Sequence, residues 1–323
     1  MRLRLVPADT SWDFFRTWKF TFGASLLAML LSIVMFFVVG LNFGIDFRGG
    51  TTIRTEAVEP VDVGAYRDAL AALNFGDVSI TEVFDPTFGP DRNVASISIQ
   101  AQEGQESVSA EMIIAVEAAL VAVAPTITFP SVESVGPTVS GELVQTAVLA
   151  VVLAIAAVLV YIWMRFEWQF SIGAVAALVH DIVLTIGIFS LLQIQFDLAI
   201  IAALLTIVGY SLNDTVVVFD RVRENLRKYK QKSLRELLNL SINETLSRTV
   251  MTSVTTLLAL ISLYVLGGDV IRGFVFAMIW GVVVGTYSSV FVASTVLLYF
   301  GVKRDWSKPD PKAAGTQFSN IDA

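Results

Sequence analysis

Asn213 and Asp214 stand side by side inside an apolar run, Leu198 to Asn225 (LAIIAALLTIVGYSLNDTVVVFDRVREN), that is long enough to cross a bilayer. The run ends in a charged cluster, Asp220, Arg221, Arg223 and Glu224. A carboxylate inside hydrocarbon costs about 2.5–3.5 kcal/mol on the lower scales, and packing against lipid returns none of it. The chemistry open to such a group is the uptake and release of a proton or another ion. Downstream, INETLSRTVMTSVTTL supplies Thr245, Arg248, Thr249, Thr252, Ser253, Thr255 and Thr256, which are expected to gather on one side of the next helix. Asp214 and Arg248 then fall at similar depth on helices joined by one loop. A carboxylate paired with an arginine in a poorly solvated place is stable while ionised. Protonating it breaks the pair and frees the guanidinium, which couples proton passage to helix motion. The competing reading is a structural ion pair, or a helix-end carboxylate in interfacial water. For Arg248, topology alone also places a base at the start of a span.

Other polar positions extend the set. Thr206, Tyr210, Asn213, Asp214 and Val217 recur at three and four residues, so their polar atoms are expected on one face turned into a helix bundle. His180 and Asp181 lie midway along another apolar run. Asp181 suits a second relay acid, or a hydrogen bond that fixes packing. The proton-relay candidates are therefore Asp214 and Arg248, with Asn213, Asp181 and Thr252 secondary. Asp197 and Asp269 read as loop ends. Gly281, Gly285, Ser288 and Ser289 form a small-residue stripe whose expected role is close helix packing. GIDFRGGT is Gly-rich but lacks a phosphate-loop lysine and precedes a strand, so Gly49 and Gly50 are expected to make a tight turn at the membrane exit.

The elements that hold these residues follow from composition. Of 323 residues 55% are hydrophobic and 16% charged, with a mean hydropathy of +0.69, the balance of a multi-span membrane protein. Without cysteine and with one histidine there is no disulfide framework and no thiolate or His-based metal site, and no cofactor is expected beyond protons as the coupling ion. Spans are predicted at Phe20–Val39, Glu142–Met164, Phe170–Leu192, Asp197–Phe219, Arg248–Leu266 and Arg272–Phe300. The first is expected to be retained, since no convincing cleavage site follows it. Leu41 to Gly141 carries fourteen acids against four bases, whereas Asp220 to Arg248 carries eight bases against four acids. The basic segments (residues 1–19, Arg165, the loop 220–247 and the tail 301–323) then share one side, so both termini are expected in the cytoplasm. The tail from Lys303 is expected to be disordered, and no nucleic-acid binding follows from this charge pattern.

Residues 40–141 read as a folded domain on the opposite side. TTIRTEAV, DVSITEVF, VASISIQA and TITFPSVESV alternate as strands. VDVGAYRDALAALNF and VSAEMIIAVEAALVAVA have helical spacing, and DPTFGPDRN is a turn. The order strand-helix-strand-strand-helix-strand is that of ferredoxin-like folds. Its free face or edge is open to another protein or an extended chain; the alternative is a spacer without a binding role.

GIDFRGGT after the first span, SVGPTVSGEL before the second, HD in the third, SLNDTVVVFDRVREN in the fourth, INETLSRTVMTS entering the fifth and GTYSSVFVAS in the sixth resemble, in this order, the SecF family, the smaller half of the bacterial SecD–SecF pair. The resemblance covers about residues 40–295. It implies an α-helical membrane protein: a six-span RND-like half bundle plus one small α+β ferredoxin-like periplasmic domain, in the bacterial cytoplasmic (inner) membrane. It implies SecD as heterodimer partner, association with the SecYEG channel and accessory Sec subunits, and an unfolded polypeptide as cargo. It also implies proton-gradient support of late export steps, with Asp214 as the proton-path acid and Arg248 as its partner. No nucleophile, metal cluster or phosphate loop argues for an enzyme. The alternatives are half of an RND-type exporter of small molecules or lipids, and an assembly scaffold in which Asp214 and Arg248 only pin helices.

Overall fold

A computed structural model describes residues 7, 10–73, 78–84, 92–100 and 109–302. The turn residues 85–91 and the tail 303–323 lie outside the described residues. Among the described residues six helices are long and apolar enough to cross a membrane: α1 (Trp18–Val38), α5 (Pro137–Arg165), α6 (Trp168–Leu192), α7 (Leu198–Lys228), α8 (Leu234–Leu266), and α9 (Asp269–Ser288), which continues through a π turn (Ser289–Ala293) into α10 (Ser294–Phe300). The segment predicted as a basic loop, 220–247, is instead mostly helix. α7 runs on to Lys228, and α8 starts at Leu234 behind a capping box in which Ser233 and Glu236 satisfy each other's backbone N–H groups. Only residues 229–233 separate the two helices.

The helical extensions meet through side chains. Buried Asn225 of α7 donates to Ser241 Oγ (3.0 Å) and Glu244 Oε2 (2.8 Å) of α8, and Arg221 Nε lies 3.5 Å from Glu244. The N-terminal segment straps across the same end. The amides of Asn239 and Asn243, one turn apart on α8, hydrogen-bond the backbone of Trp12 and Phe14, and Phe15 is buried in the bundle core. Asn239 donates to Asp13 (2.6 Å) and Arg235 to its other oxygen (3.0 Å). Asn239, then Arg235, hold the Asp13 carboxyl below the usual carboxylate range. With the folded-state value depressed, this contribution is present above the ordinary Asp pKa and is lost as pH falls through the lowered one. Replacing Asp13 by Ala is expected to speed tryptic cleavage after Arg16 at neutral pH. An unchanged rate would show that Asp13 does not hold the strap.

Between α1 and α5 sits the small domain. After the single turn α2 (Ile45–Arg48) come β1 (Gly50–Ala57), α3 (Val63–Ala71), β2 (Val78–Val83), β3 (Asn93–Gln100), α4 (Ala110–Val123) and β4 (Thr128–Val135). All pairings are antiparallel and the strand order is β2-β3-β1-β4. Alternation along β1 and β3 turns Ile53, Ile97 and Ile99 onto Tyr66 and Leu70 of α3 and Val116 and Leu120 of α4, a core closed to solvent. Asp62 caps α3 and Ser109 caps α4. Gly49 holds φ +73°, and a side chain there would meet Pro137 and Ser140 at 3.3 Å. The glycine pair thus turns the chain against the start of α5, as its sequence suggested. The domain is tied to the bundle at further points, among them a backbone exchange in which Gly44 N–H donates to Phe196 and Phe196 N–H to Asn42. Asp46 accepts from the Leu198 N–H at the head of α7. The backbone of Phe84 pairs with Asp269, whose carboxylate also holds Arg272.

Candidate functional site

Asp214 sits on α7 with 3% of its surface exposed, and its Oδ2 is fully buried without a hydrogen-bond partner. A buried polar atom left unpaired costs about 1–3 kcal/mol, more when charged, so it marks a place with a task or a partner supplied from elsewhere. Among the described residues three further buried hydroxyls lack partners: Tyr210 OH one turn earlier on α7, Thr249 Oγ1 on α8, and Ser171 Oγ in the first turn of α6. The depth of α8 beside Asp214 follows from the contacts of Asn225. α7 and α8 are antiparallel, and Asn225 meets Ser241. Eleven residues back along α7 is Asp214, and eleven residues on along α8 is Thr252, flanked by Thr249 and Ser253.

Arg248 is exposed at the surface of this chain, and its charge acts on Asp214, yet no ion pair joins the two. The predicted pairing is thus an approach rather than a closed bridge. The polar set of α8 also does not occupy one side. Thr245, Thr249 and Ser253 are buried, while Arg248 and Thr255 are exposed and Thr252 is half-buried. Neighbouring residues on a helix differ by about 100°, so Arg248 and Thr249 cannot share a face. Thr252 spends its hydroxyl on the carbonyls of Arg248 (3.1 Å) and Thr249 (2.9 Å) of its own helix. The same correction applies to α7, where Asp214 turns inward while Thr206, Gly209 and Asn213 are exposed. A polar strip therefore faces outward along α7 and α8: Thr206 and Thr255 return their hydroxyls to their own helices, so the side chains that lipid would leave unsatisfied are those of Asn213 and Arg248.

Asp181 lies in the interior of the bundle, 1% exposed. Its Oδ2 accepts from Ser211 of α7 (2.6 Å) and Ser288 of α9 (2.8 Å), and its Oδ1 lies 2.9 Å from His180 Nδ1. Sequence reasoning did not single out Ser211 or Thr249 as site residues, and it assigned Ser288 to packing. The one signal for Ser211 was its position a turn before Asp214. The small-residue stripe packs as expected: Gly281 abuts Ile207 and Gly285 abuts Ser211 on α7, and Ser253 meets Thr286 at 2.7 Å. Asp197 caps α7, and Asp269 joins the domain to the bundle. Among the described residues no group of His, Cys, Asp or Glu could hold a metal ion.

This arrangement sets a buried carboxylate, a group able to bind a proton, within the electrostatic reach of an arginine on the neighbouring helix. Known proteins carry the same frame. Residues 115–303 match the family model described as protein export membrane protein SecD/SecF, C-terminal, and residues 34–61 match the SecD/SecF GG motif. The protein translocase subunit SecF of Cereibacter sphaeroides is 62% identical over 322 residues, covering 100% of this chain and 99% of that one. The subunit of the same name from Rhodobacter capsulatus is 58% identical, covering 96% and 95%. Among solved structures, SecDF of Thermus thermophilus, described as a translocon-associated membrane protein, superposes with a TM-score of 0.81 at 36% identity. SecDF in a super-membrane-facing form gives 0.69 at 37%. Each covers 93% of this chain, which spans only 40% of either SecDF chain.

Proposed function

Because the chain belongs to the SecF family of protein-translocase subunits, we propose that it works as the proton-gradient-coupled half of a SecD–SecF unit that promotes late steps of protein export. Asp214 carries the proton. With Arg248 swung inward, the ionised carboxylate has a compensating charge. With Arg248 turned away, the neutral acid is the form that tolerates burial. Proton entry and exit thereby select between two placements of α8 relative to α7, and α9, joined to the small domain through Asp269, carries the change outward. The observation that carries this reading is the buried, unpartnered Oδ2 of Asp214 beside an arginine that does not bridge it.

The outward strip supports SecD as the partner, since a second bundle would cover Thr206, Gly209, Asn213, Arg248 and Thr255 and supply partners to the side chains of Asn213 and Arg248. The strand order supports a ferredoxin-like label for the small domain and an RND-like half bundle beneath it. The basic side of the bundle is assigned to the cytoplasm, with both termini there, in the inner membrane. SecYEG and the exported unfolded chain complete the assembly.

The test uses inverted membrane vesicles carrying the translocase with or without this chain and SecD, with export measured before and after the proton gradient is collapsed. A gradient-dependent increment is expected only when both are present. An increment of equal size in vesicles lacking this chain would sink it.

A further inference from the structure

The carboxylate of Asp181 is the point where three membrane helices meet. α6 contributes the acid, α7 contributes Ser211 at 2.6 Å and α9 contributes Ser288 at 2.8 Å, both hydroxyls donating to the same Oδ2. The fourth participant is His180, with Nδ1 2.9 Å from Oδ1. Its ring stacks on Tyr287 at 6.1 Å between centroids. Tyr287 in turn donates to the Thr21 carbonyl (3.0 Å) and lies 2.9 Å from Ser25 Oγ, which brings α1 into the same network. α9 packs directly on this serine: a side chain at Gly285 would contact Ser211 at 3.0 Å. Directly after Ser288 the helix widens into the π turn Ser289–Ala293, a feature of α-helices that is frequent at functional sites.

Ser211 precedes Asp214 by three residues, so the two project within about 60° of each other around α7. A bond that fixes the azimuth of Ser211 therefore fixes that of Asp214, keeping it inward while Asn213 faces out. We propose that Asp181 is a positioning residue for Asp214: through Ser211 and Ser288 it sets the rotation of α7 against α9, without itself carrying the transported proton. An amide can make the same set of bonds. Asparagine at this position offers Oδ1 to the two seryl hydroxyls, and an N–H to His180 Nδ1 in the tautomer that carries its proton on Nε2. An acid that had to exchange protons has no such substitute.

This inference rests on the proton reading of Asp214, and the experiment separates the two. Variants of this chain are co-expressed with SecD, checked for amount and co-purification, and assayed for the gradient-dependent increment of export in vesicles. Asp181→Asn is expected to stay within about twofold of the unsubstituted chain. Asp181→Leu, and the double variant Ser211→Ala with Ser288→Ala, are expected to lose roughly five- to tenfold of the increment, in keeping with two modest interhelical bonds. The gradient-independent part of export and the association with SecD are expected to remain. Loss of the increment in Asp181→Asn, with assembly intact, would overturn the inference by making Asp181 a proton carrier. A normal increment in the double serine variant would overturn it by making the bonds dispensable. Asp214→Asn runs alongside, and if that variant keeps its increment, the proton reading falls independently of these outcomes.

Discussion

Substituting asparagine for Asp214 is expected to erase the gradient-dependent part of export and leave gradient-independent export and the association with SecD intact. Asparagine keeps the volume and one acceptor oxygen at a position only 3% exposed, so the packing of α7 is preserved. What disappears is the ability to alternate between charged and neutral forms, and with it any differential pull on Arg248. A ligand, here a proton, shifts a conformational equilibrium only by its differential affinity for the two states, and couplings of this kind commonly amount to roughly 1–3 kcal/mol, or 5–150-fold. The expected loss lies in that range. A variant that assembles normally and still responds to the gradient would remove Asp214 from the pathway and favour the view that it only pins helices.

The second large effect is expected at a residue that touches nothing. A side chain built at Gly209 would have no neighbour within 4 Å, and the glycine lies exposed between Thr206 and Asn213 on the outward strip of α7. Within this chain, Gly209→Leu is therefore tolerated, and in a helix interior it gains propensity over glycine. If a second bundle packs on the strip, the added side chain overfills the contact at about 1–3 kcal/mol, and association with SecD weakens roughly 5–150-fold. Gly281 provides the contrast. A side chain there would run into Ile207, so Gly281→Leu damages the fold of the chain itself. Co-purification separates the two cases: Gly209→Leu should yield normal amounts of the chain with little SecD. Normal SecD recovery would mean that the partner packs elsewhere.

The spans were legible because a bilayer imposes a length, and apolar runs of that length have few other uses. The small domain was legible because period-two and helical spacing alternate cleanly from Thr51 to Val135. What composition hid was the α7–α8 hairpin. Residues 220–247 carry eleven charges and look like a solvated loop, but Asn225, Ser241 and Glu244 knit them into paired helices by contacts that no spacing rule displays. The polar faces were overdrawn for a geometric reason. Asn213 with Asp214, and Arg248 with Thr249, are adjacent in sequence and so about 100° apart on a helix, which splits each pair between interior and surface. That split distinguishes a site completed by another chain from one buried wholly within this bundle. Asp181 was visible as a membrane-embedded acid. Its hydroxyl partners were not, because serine in a membrane helix serves packing as readily as hydrogen bonding.

Proton movement itself is the most direct test. The chain and SecD, purified together and reconstituted into liposomes that enclose a pH-sensitive dye, are given an imposed membrane potential. An inward proton flux above that of empty liposomes is expected from the unsubstituted pair, and its disappearance in Asp214→Asn. No flux from the unsubstituted pair, or an equal flux from Asp214→Asn, would contradict proton coupling through this carboxylate.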